Sequence, residues 1–372
     1  MICRKINIYL VLVLCACSMI LSSILAQEKK SPIRLERAKI LRNTTAGGEQ
    51  IKELIGDVII TRDDMKIECQ QAFHYQVADK IVFVKEVHYS DSLREMWADK
   101  IIYYVNKDSM EAEGSVKIVQ DEYESYSRKA YYSEERRKVY LRENVKILNL
   151  ENHVTMTGKR GFGDESMKYA RVRGNAEMIK KDSLDKIEMT VDAVEIEYFN
   201  ADDYAQAKDS VKIYQGDVTG NCGLMTYFLK DKKTLMVDNP MIFRDPDELE
   251  GDSIYLYLKD EKLEKIEIFG NASVISPVEE SEKDEKNQMY GKRMYIYIVD
   301  DNIKTIDVVG NARSIYYIFE EAQGKAPVSK GANSVSGDKI YLFFNEGDLE
   351  TIHVAGGTEG IYYPSDYQGV IE

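Results

Sequence analysis

The chain has 372 residues, of which 44% are hydrophobic, 26 are tyrosine and only 6 are proline. This composition is typical of a folded protein rich in strand-forming residues, and it excludes a chain that is disordered throughout. The formal net charge is −14, from 50 Lys and Arg against 64 Asp and Glu. Such an excess of acid excludes binding of nucleic acid over a broad surface, because that binding requires a basic face.

Residues 1–26 have the pattern of an export signal. A basic pair precedes a long apolar run, and Ala26 ends the run before a polar segment. We expect cleavage after Ala26 and a periplasmic location for the rest of the chain. An uncleaved membrane anchor is one alternative, because the apolar run is long enough to span a bilayer. A lipid anchor on Cys17 is the other alternative, because Leu14-Cys15-Ala16-Cys17 resembles a lipoprotein box.

Residues 27–35 are predicted to form a polar tether, and residues 36–372 to form one array of repeats. A small residue, usually followed by a polar one, recurs in each repeat at spacings of 29 to 46 residues, which is the signature of a repeat architecture. The members of this small-residue column are Cys69, Ala98, Ser127, Gly158, Val191, Cys222, Gly251, Gly291 and Gly337. A second mark, such as Gly270-Asn271, recurs with nearly the same period and suits a turn or bulge with positive φ.

The hydrophobic pattern around the small-residue column locates the interior. Apolar side chains stand two residues before a column member and three and five residues after it, which breaks the period of two expected of a straight strand. The change of phase predicts a corner or bulge beside each column member. Candidates for lining an apolar groove come from these positions: Met96, Ile101, Tyr103, Met225, Tyr227, Ile254, Leu256, Met294, Ile296, Ile340 and Leu342.

These patterns predict an all-β protein, either an elongated open β-jellyroll (a β-taco) or a solenoid-like stack of about ten repeats of roughly 29–46 residues. A division into two halves meeting near residues 200–210 stays open. If each repeat adds one strand spacing of about 4.8 Å, the stack is about 48 Å long. Cys69 and Cys222 stand five repeats apart and would lie about 24 Å from each other, too far for a disulfide. We therefore expect two free thiols.

The sequence carries no signature of catalysis or of metal binding. Its histidines lack the spacing of a zinc site, and no nucleophile-elbow motif occurs. Paired acids such as Asp202-Asp203 and Asp300-Asp301 fall at predicted turns, where acidic residues are common. We therefore predict no catalytic residue, no metal and no cofactor, and a protein that is not an enzyme.

Two segments carry a resemblance to a known family. Residues 97–118 combine an Ala-Asp pair, an apolar strand with tyrosine and a Gly-Ser-Val triplet, and Gly270-Asn271-Ala272 repeats the last feature. These phrases resemble the OstA-like family, the periplasmic components of the lipopolysaccharide transport machinery: the bridge protein and the periplasmic domain of the outer-membrane translocon. The resemblance extends over residues 36–363, because each repeat contains a degenerate copy.

The resemblance implies a twisted, open β-jellyroll made of antiparallel strands. Its apolar groove would hold the acyl chains of lipopolysaccharide or a related glycolipid and carry them towards the outer membrane. Other jellyroll transport components are implied as partners, joined end to end through the unpaired edges of terminal strands.

Two other classes of function stay open. A structural or adhesive β-solenoid with a dry core explains the same hydrophobic pattern, because core burial alone requires an apolar interior. A carbohydrate-active β-helix enzyme would require a cluster of acids recurring along one wall, which the sequence does not contain. Lipid that co-purifies with the protein would distinguish transport from both alternatives.

Overall fold

The computed structural model describes residues 31–46, 48–133, 137–164, 166–259, 262–278, 281, 285–320, 327–345 and 348–371. The predicted export signal, Cys17 and residues 27–30 of the predicted tether lie outside the described residues. The first strand begins at Arg34, within the stretch that we assigned to the tether. No helix among the described residues is long and apolar enough to cross a membrane.

The described residues form one sheet of 24 strands, in which every neighbouring pair runs antiparallel. The strands are β1 Arg34–Arg37, β2 Ile40–Ala46, β3 Glu49–Arg62, β4 Met65–Tyr75, β5 Lys80–Ser90, β6 Glu95–Tyr104, β7 Ser109–Gln120, β8 Tyr123–Ser133, β9 Lys138–Asn149, β10 Val154–Asp164, β11 Tyr169–Lys181, β12 Ile187–Phe199, β13 Tyr204–Gln215, β14 Val218–Phe228, β15 Lys233–Val237, β16 Met241–Arg244, β17 Asp247–Glu250, β18 Ser253–Lys259, β19 Lys262–Pro277, β20 Lys286–Val299, β21 Asn302–Glu320, β22 Val328–Asn345, β23 Asp348–Ala355 and β24 Glu359–Pro364. The predicted all-β class is confirmed. A parallel β-helix, on which the enzyme alternative rested, is not adopted.

Every second long strand has a two-residue bulge in its middle that faces one residue of the next strand, and this bulge is the predicted corner. In β19 the bulge is Gly270 and Asn271, whose φ angles are 71° and 49°. The register with β20 shifts there, because Phe269 pairs with Arg293 and Ala272 with Gly291. Two residues of one strand therefore face one residue of the other, which bends the sheet. Glycine and asparagine occupy the mark because they tolerate positive φ.

The corners divide each long strand into two halves, and these halves, together with the short strands, form two walls. The first wall holds the residues that precede the small-residue column, such as Met96, and the second wall holds those that follow it, such as Ile101. Inward side chains of both walls join one continuous buried cluster. Arg62 on the first wall bonds Tyr103 on the second, so the free margins of the walls are within reach of each other. The side opposite the corners, where the hairpin turns of the two walls approach, is the mouth.

The small-residue column lies along the corners: Ala98 and Gly337 pair with residues that follow a bulge, and Gly251 lies beside the bulge residue Gly270. Space there is limited: a Cβ on Gly251 would lie 2.4 Å from Cγ2 of Ile268. Sequence reasoning misplaced one member. Ala193, not Val191, occupies the column, because Ala193 pairs with Ala176, the residue after the Gly174-Asn175 mark, just as Gly291 pairs with Ala272. The irregular spacing around this repeat hid the two-residue offset.

The length expected from the sequence was wrong by about a factor of two. Each repeat is a hairpin, so it adds two strand spacings rather than one. We call one passage of the chain over both walls a crossing. Four crossings are interrupted at the corner and form two strands each, so the 24 strands make up 20 crossings. At about 4.8 Å per spacing they extend about 90 Å. Cys69 and Cys222 are accordingly ten crossings apart, and both are buried free thiols as predicted.

The sheet continues through the region where a division into halves stayed open. Residues Asn200–Asp202 form a short 3-10 turn between β12 and β13. The two strands pair from Phe199 with Tyr204 through Thr190 with Tyr214, with one shift at the corner.

Candidate functional site

All eleven residues proposed from the sequence lie in the interior between the two walls. Each is between 0% and 4% exposed. Residues three places after a column member, such as Ile101 and Met225, lie near the corners, whereas those five places after it, such as Tyr103 and Leu256, lie nearer the mouth. Most of the interior is therefore filled by the protein's own side chains.

The row nearer the mouth on the second wall changes its chemistry along the sheet. In the first two-thirds it contains four tyrosines, which we call the tyrosine row: Tyr103, Tyr132, Tyr198 and Tyr227. In the last third the same row contains Leu256, Ile296 and Leu342. Phenolic groups thus give way to aliphatic groups at one point along the axis.

The hydroxyl of each tyrosine in the row bonds a residue of the first wall. Arg62 donates to the hydroxyl of Tyr103 at 2.6 Å, and Tyr103 donates to Asp108. Arg94 donates to the hydroxyl of Tyr132 at 3.3 Å, and the guanidinium lies 4.2 Å from the centre of that ring. The bonds from Arg62 and Arg94 cross the mouth and join the two walls, whereas Asp108 lies on the same wall as Tyr103.

The same arrangement continues at the next two tyrosines. Asn149 and Asn152 donate to the hydroxyl of Tyr198 at 3.3 and 2.9 Å. Tyr227 donates to Glu188 at 3.4 Å. Burial raises the pKa of Tyr198 to about 12, and it also raises the pKa of Tyr227, so both hydroxyls stay protonated at physiological pH.

A cavity of about 440 Å³ lies between the walls in the last third of the sheet. We call it the C-terminal cavity. Two of the sequence candidates line it, Ile296 and Leu342. Its other apolar lining comes from both walls: Leu249, Ile266, Val274, Met289, Ile303, Ile306, Ile315, Phe344 and Leu349. This volume falls in the range of about 300–1,000 Å³ that is typical of small-molecule sites.

The rim of the C-terminal cavity is acidic. Asp217, Asp245, Asp247 and Asp301 line it together with one arginine, Arg244. Arg244 donates to Asp217 at 2.7 Å and to the backbone carbonyl of Asp301 at 2.5 Å. Burial raises the pKa of Asp247, against the opposing effects of Ser276 and Arg244. The rim therefore disfavours an anionic group and leaves apolar contact as the main attraction of the cavity.

The described residues hold no group of three or more His, Cys, Asp or Glu that could bind a metal. Burial raises the pKa of Cys69 to about 11 and that of Cys222 to about 12, so neither is a reactive thiolate at neutral pH.

His88 stacks on Trp97 with ring centres 4.9 Å apart, in a cross-strand pair.

Sequence reasoning missed the polar residues that bond the tyrosine row. Arg62 stands 41 residues before Tyr103, and Asn149 stands 49 residues before Tyr198. No local pattern joins residues so far apart. The change from tyrosine to leucine and isoleucine along the row was a visible signal that the two parts of the interior differ.

Comparison with known proteins supports the family resemblance for the middle of the chain. Residues 76–219 match the model of the OstA-like protein family. Among solved structures, the chain is similar to LptH, described as the LptA-homologous periplasmic component of the conserved lipopolysaccharide transport device from Pseudomonas aeruginosa. The two are 16% identical, and the match covers 31% of this chain and 82% of that one with a TM-score of 0.29. No curated protein matches the chain. The predicted OstA-like resemblance is confirmed over residues 76–219.

Proposed function

We propose that this OstA-like chain is a periplasmic, non-enzymatic carrier of lipopolysaccharide or a related glycolipid. It would hold acyl chains between its two walls and pass them towards the outer membrane. The observation that carries the proposal is the C-terminal cavity, which is lined from both walls by aliphatic side chains such as Ile296 and Leu342 and is reached from the mouth. The OstA-like match over residues 76–219 supports the same class of function.

Burial of acyl chains would supply the affinity. Each buried methylene contributes about 0.8 kcal/mol, so ten of them contribute about 8 kcal/mol, which corresponds to a dissociation constant of about 1 μM. The acidic rim around Asp217, Asp245 and Asp301 does not attract lipid phosphates. Phosphate groups would therefore remain in solvent outside the mouth while the chains enter the cavity.

The two ends of the sheet suit the proposed end-to-end contacts with other jellyroll components. β2 pairs only with β3, and β24 pairs only with β22, so each terminal strand has one unpaired edge among the described residues. Large apolar side chains are exposed there, including Leu41 at 54% and Ile361 at 55%. Edges of this kind accept a strand from another protein.

A pair of adjacent residues provides a matched test in cells. Phe344 lines the C-terminal cavity, whereas its neighbour Phe343 is 38% exposed on the outer face. Each would be replaced by the photo-crosslinking analogue benzoylphenylalanine, and adducts would be identified by mass spectrometry. We expect a glycolipid adduct at position 344 and none at 343. Equal capture at both positions, or none at 344, contradicts the proposal.

A structural or adhesive role remains the second candidate. The observation in its favour is the first two-thirds of the interior, where side chains such as Phe83, Ile101 and Met178 are fully buried in one hydrophobic cluster. A dry core of this kind requires no lipid. Failure to capture glycolipid at position 344, together with protein that purifies free of lipid, would support this role.

A further inference from the structure

We propose that the tyrosine row is a latch that keeps the first two-thirds of the groove shut. On this view, which rests on the proposed function, acyl chains reside in the C-terminal cavity. They advance between the walls of residues 62–227 only when the bonds from the row to the first wall break. The row is Tyr103, Tyr132, Tyr198 and Tyr227.

The first support is that all four hydroxyls point across the mouth to the opposite wall. Their partners differ in chemistry: guanidinium groups for Tyr103 and Tyr132, carboxamides for Tyr198 and a carboxylate for Tyr227. Core packing alone does not require a hydroxyl, since phenylalanine would fill nearly the same space. Three different kinds of partner group make the same connection between the walls, so the connection itself is the common property.

The second support is the coincidence between the row and the open volume. The C-terminal cavity lies where the row becomes Leu256, Ile296 and Leu342, whose aliphatic side chains cannot form a hydrogen bond across the mouth. Beside the cavity, Arg244 on the first wall donates to the backbone carbonyl of Asp301 on the second wall, and the apolar volume lies beneath this bond. A polar recess of about 290 Å³ also lies at the mouth beside Tyr103 and Tyr132. The two parts of the interior therefore differ in chemistry: the apolar volume lies where the row cannot bond.

The third support is that the latch bonds at Tyr198 and Tyr227 are only partly buried, so water can replace them when the mouth opens. The bonds from Arg62 to Tyr103 and from Arg94 to Tyr132 are buried and form the tighter end of the latch. A hydrogen bond that water can replace makes only a modest net contribution to stability. The mouth can thus open locally while the backbone ladder of the sheet remains paired.

The test maps where a fatty acid binds. The purified chain would be incubated with hexadecanoic acid carrying a terminal diazirine, irradiated, and digested for mass spectrometry. A quadruple variant with Y103F, Y132F, Y198F and Y227F removes only the four hydroxyls. The control variant removes the hydroxyls of tyrosines outside the row by Y104F, Y131F, Y204F and Y255F.

In the unsubstituted chain and in the control variant, we expect label on peptides from residues 242–349. In the latch variant, label on peptides from residues 62–227 should rise roughly tenfold, which corresponds to the loss of about 1.4 kcal/mol of closing free energy. Label spread evenly over the unsubstituted chain, or an identical map for the latch variant, overturns the latch and leaves the lipid function standing. No label on any protein overturns the lipid function and the latch together.

Hydrogen exchange measured without lipid distinguishes local opening of the mouth from loss of the whole fold. In the latch variant, the hairpin turns at residues 91–94 and 105–108 should exchange faster, while the corners keep their protection. Faster exchange at the corners as well would indicate loss of the fold and would contradict an opening confined to the mouth.

Discussion

The C-terminal cavity predicts a particular dependence of affinity on acyl chain length. Because each buried methylene contributes about 0.8 kcal/mol, affinity should rise about fourfold for every carbon added to a straight-chain fatty acid. From eight to twelve carbons the increase is about 3 kcal/mol, or roughly 200-fold. The rise should stop when the chain fills the cavity of about 440 Å³.

A variant that narrows the cavity should move this limit. Ile303 lines the cavity and is partly buried, so Ile303→Trp adds apolar bulk without adding charge. We expect short chains to bind as before and the rise in affinity to stop at a shorter chain. Val299→Trp is the control, since Val299 is 56% exposed and lies outside the cavity lining.

The measurement is displacement of a fluorescent fatty acid by a series of fatty acids from six to eighteen carbons. An affinity that does not change with chain length would refute burial between the walls as the source of binding. A limit at the same length in both tryptophan variants would show that the chains occupy another place.

Three further outcomes follow from the fold. Gly251→Ala should lower the free energy of unfolding by about 1–3 kcal/mol in urea titrations, because its Cβ would collide with a neighbouring side chain, whereas Gly360→Ala should cost little, since a Cβ there meets nothing closer than 3.7 Å. Asp247→Asn should raise the melting temperature at pH 7. Burial raises the folded-state pKa of Asp247, so its ionised form costs stability above that pKa, and the gain should shrink as pH falls through it towards the unfolded value of 3.8. Cys69 and Cys222 should resist iodoacetamide in the folded chain at pH 8 and react in urea, because burial blocks access and raises each thiol pKa. Rapid alkylation of the native chain would contradict this placement.

The fold could be predicted because its determinants are local. A two-residue bulge with positive φ leaves a Gly-Asn pair in the sequence, and close contact at a corner leaves a small residue such as Gly251. The eleven candidate interior residues also followed from the phase of the hydrophobic pattern alone. The length could not be predicted in the same way, because the sequence period shows a repeat and does not show that each repeat crosses the sheet twice.

The site was less predictable because its determinants are distant in sequence. The cavity depends on how far the two walls stand apart, which no single strand encodes. The bonds of the tyrosine row join residues more than 35 positions apart, such as Arg94 with Tyr132. Sequence alone therefore identified Tyr103 and Tyr227 as residues of an apolar interior. It did not predict that their hydroxyl groups form hydrogen bonds to the opposite wall.

The placement of the corners has a mechanical consequence. Backbone hydrogen bonds of the sheet connect one crossing to the next, along the long axis, and the contacts that span the mouth come from side chains. The corners consequently act as a hinge line about 90 Å long, and rotation about that line strains bulges rather than the ladder. Groove width is therefore set by the side chains that join the two walls, and not by the backbone ladder that holds each wall together.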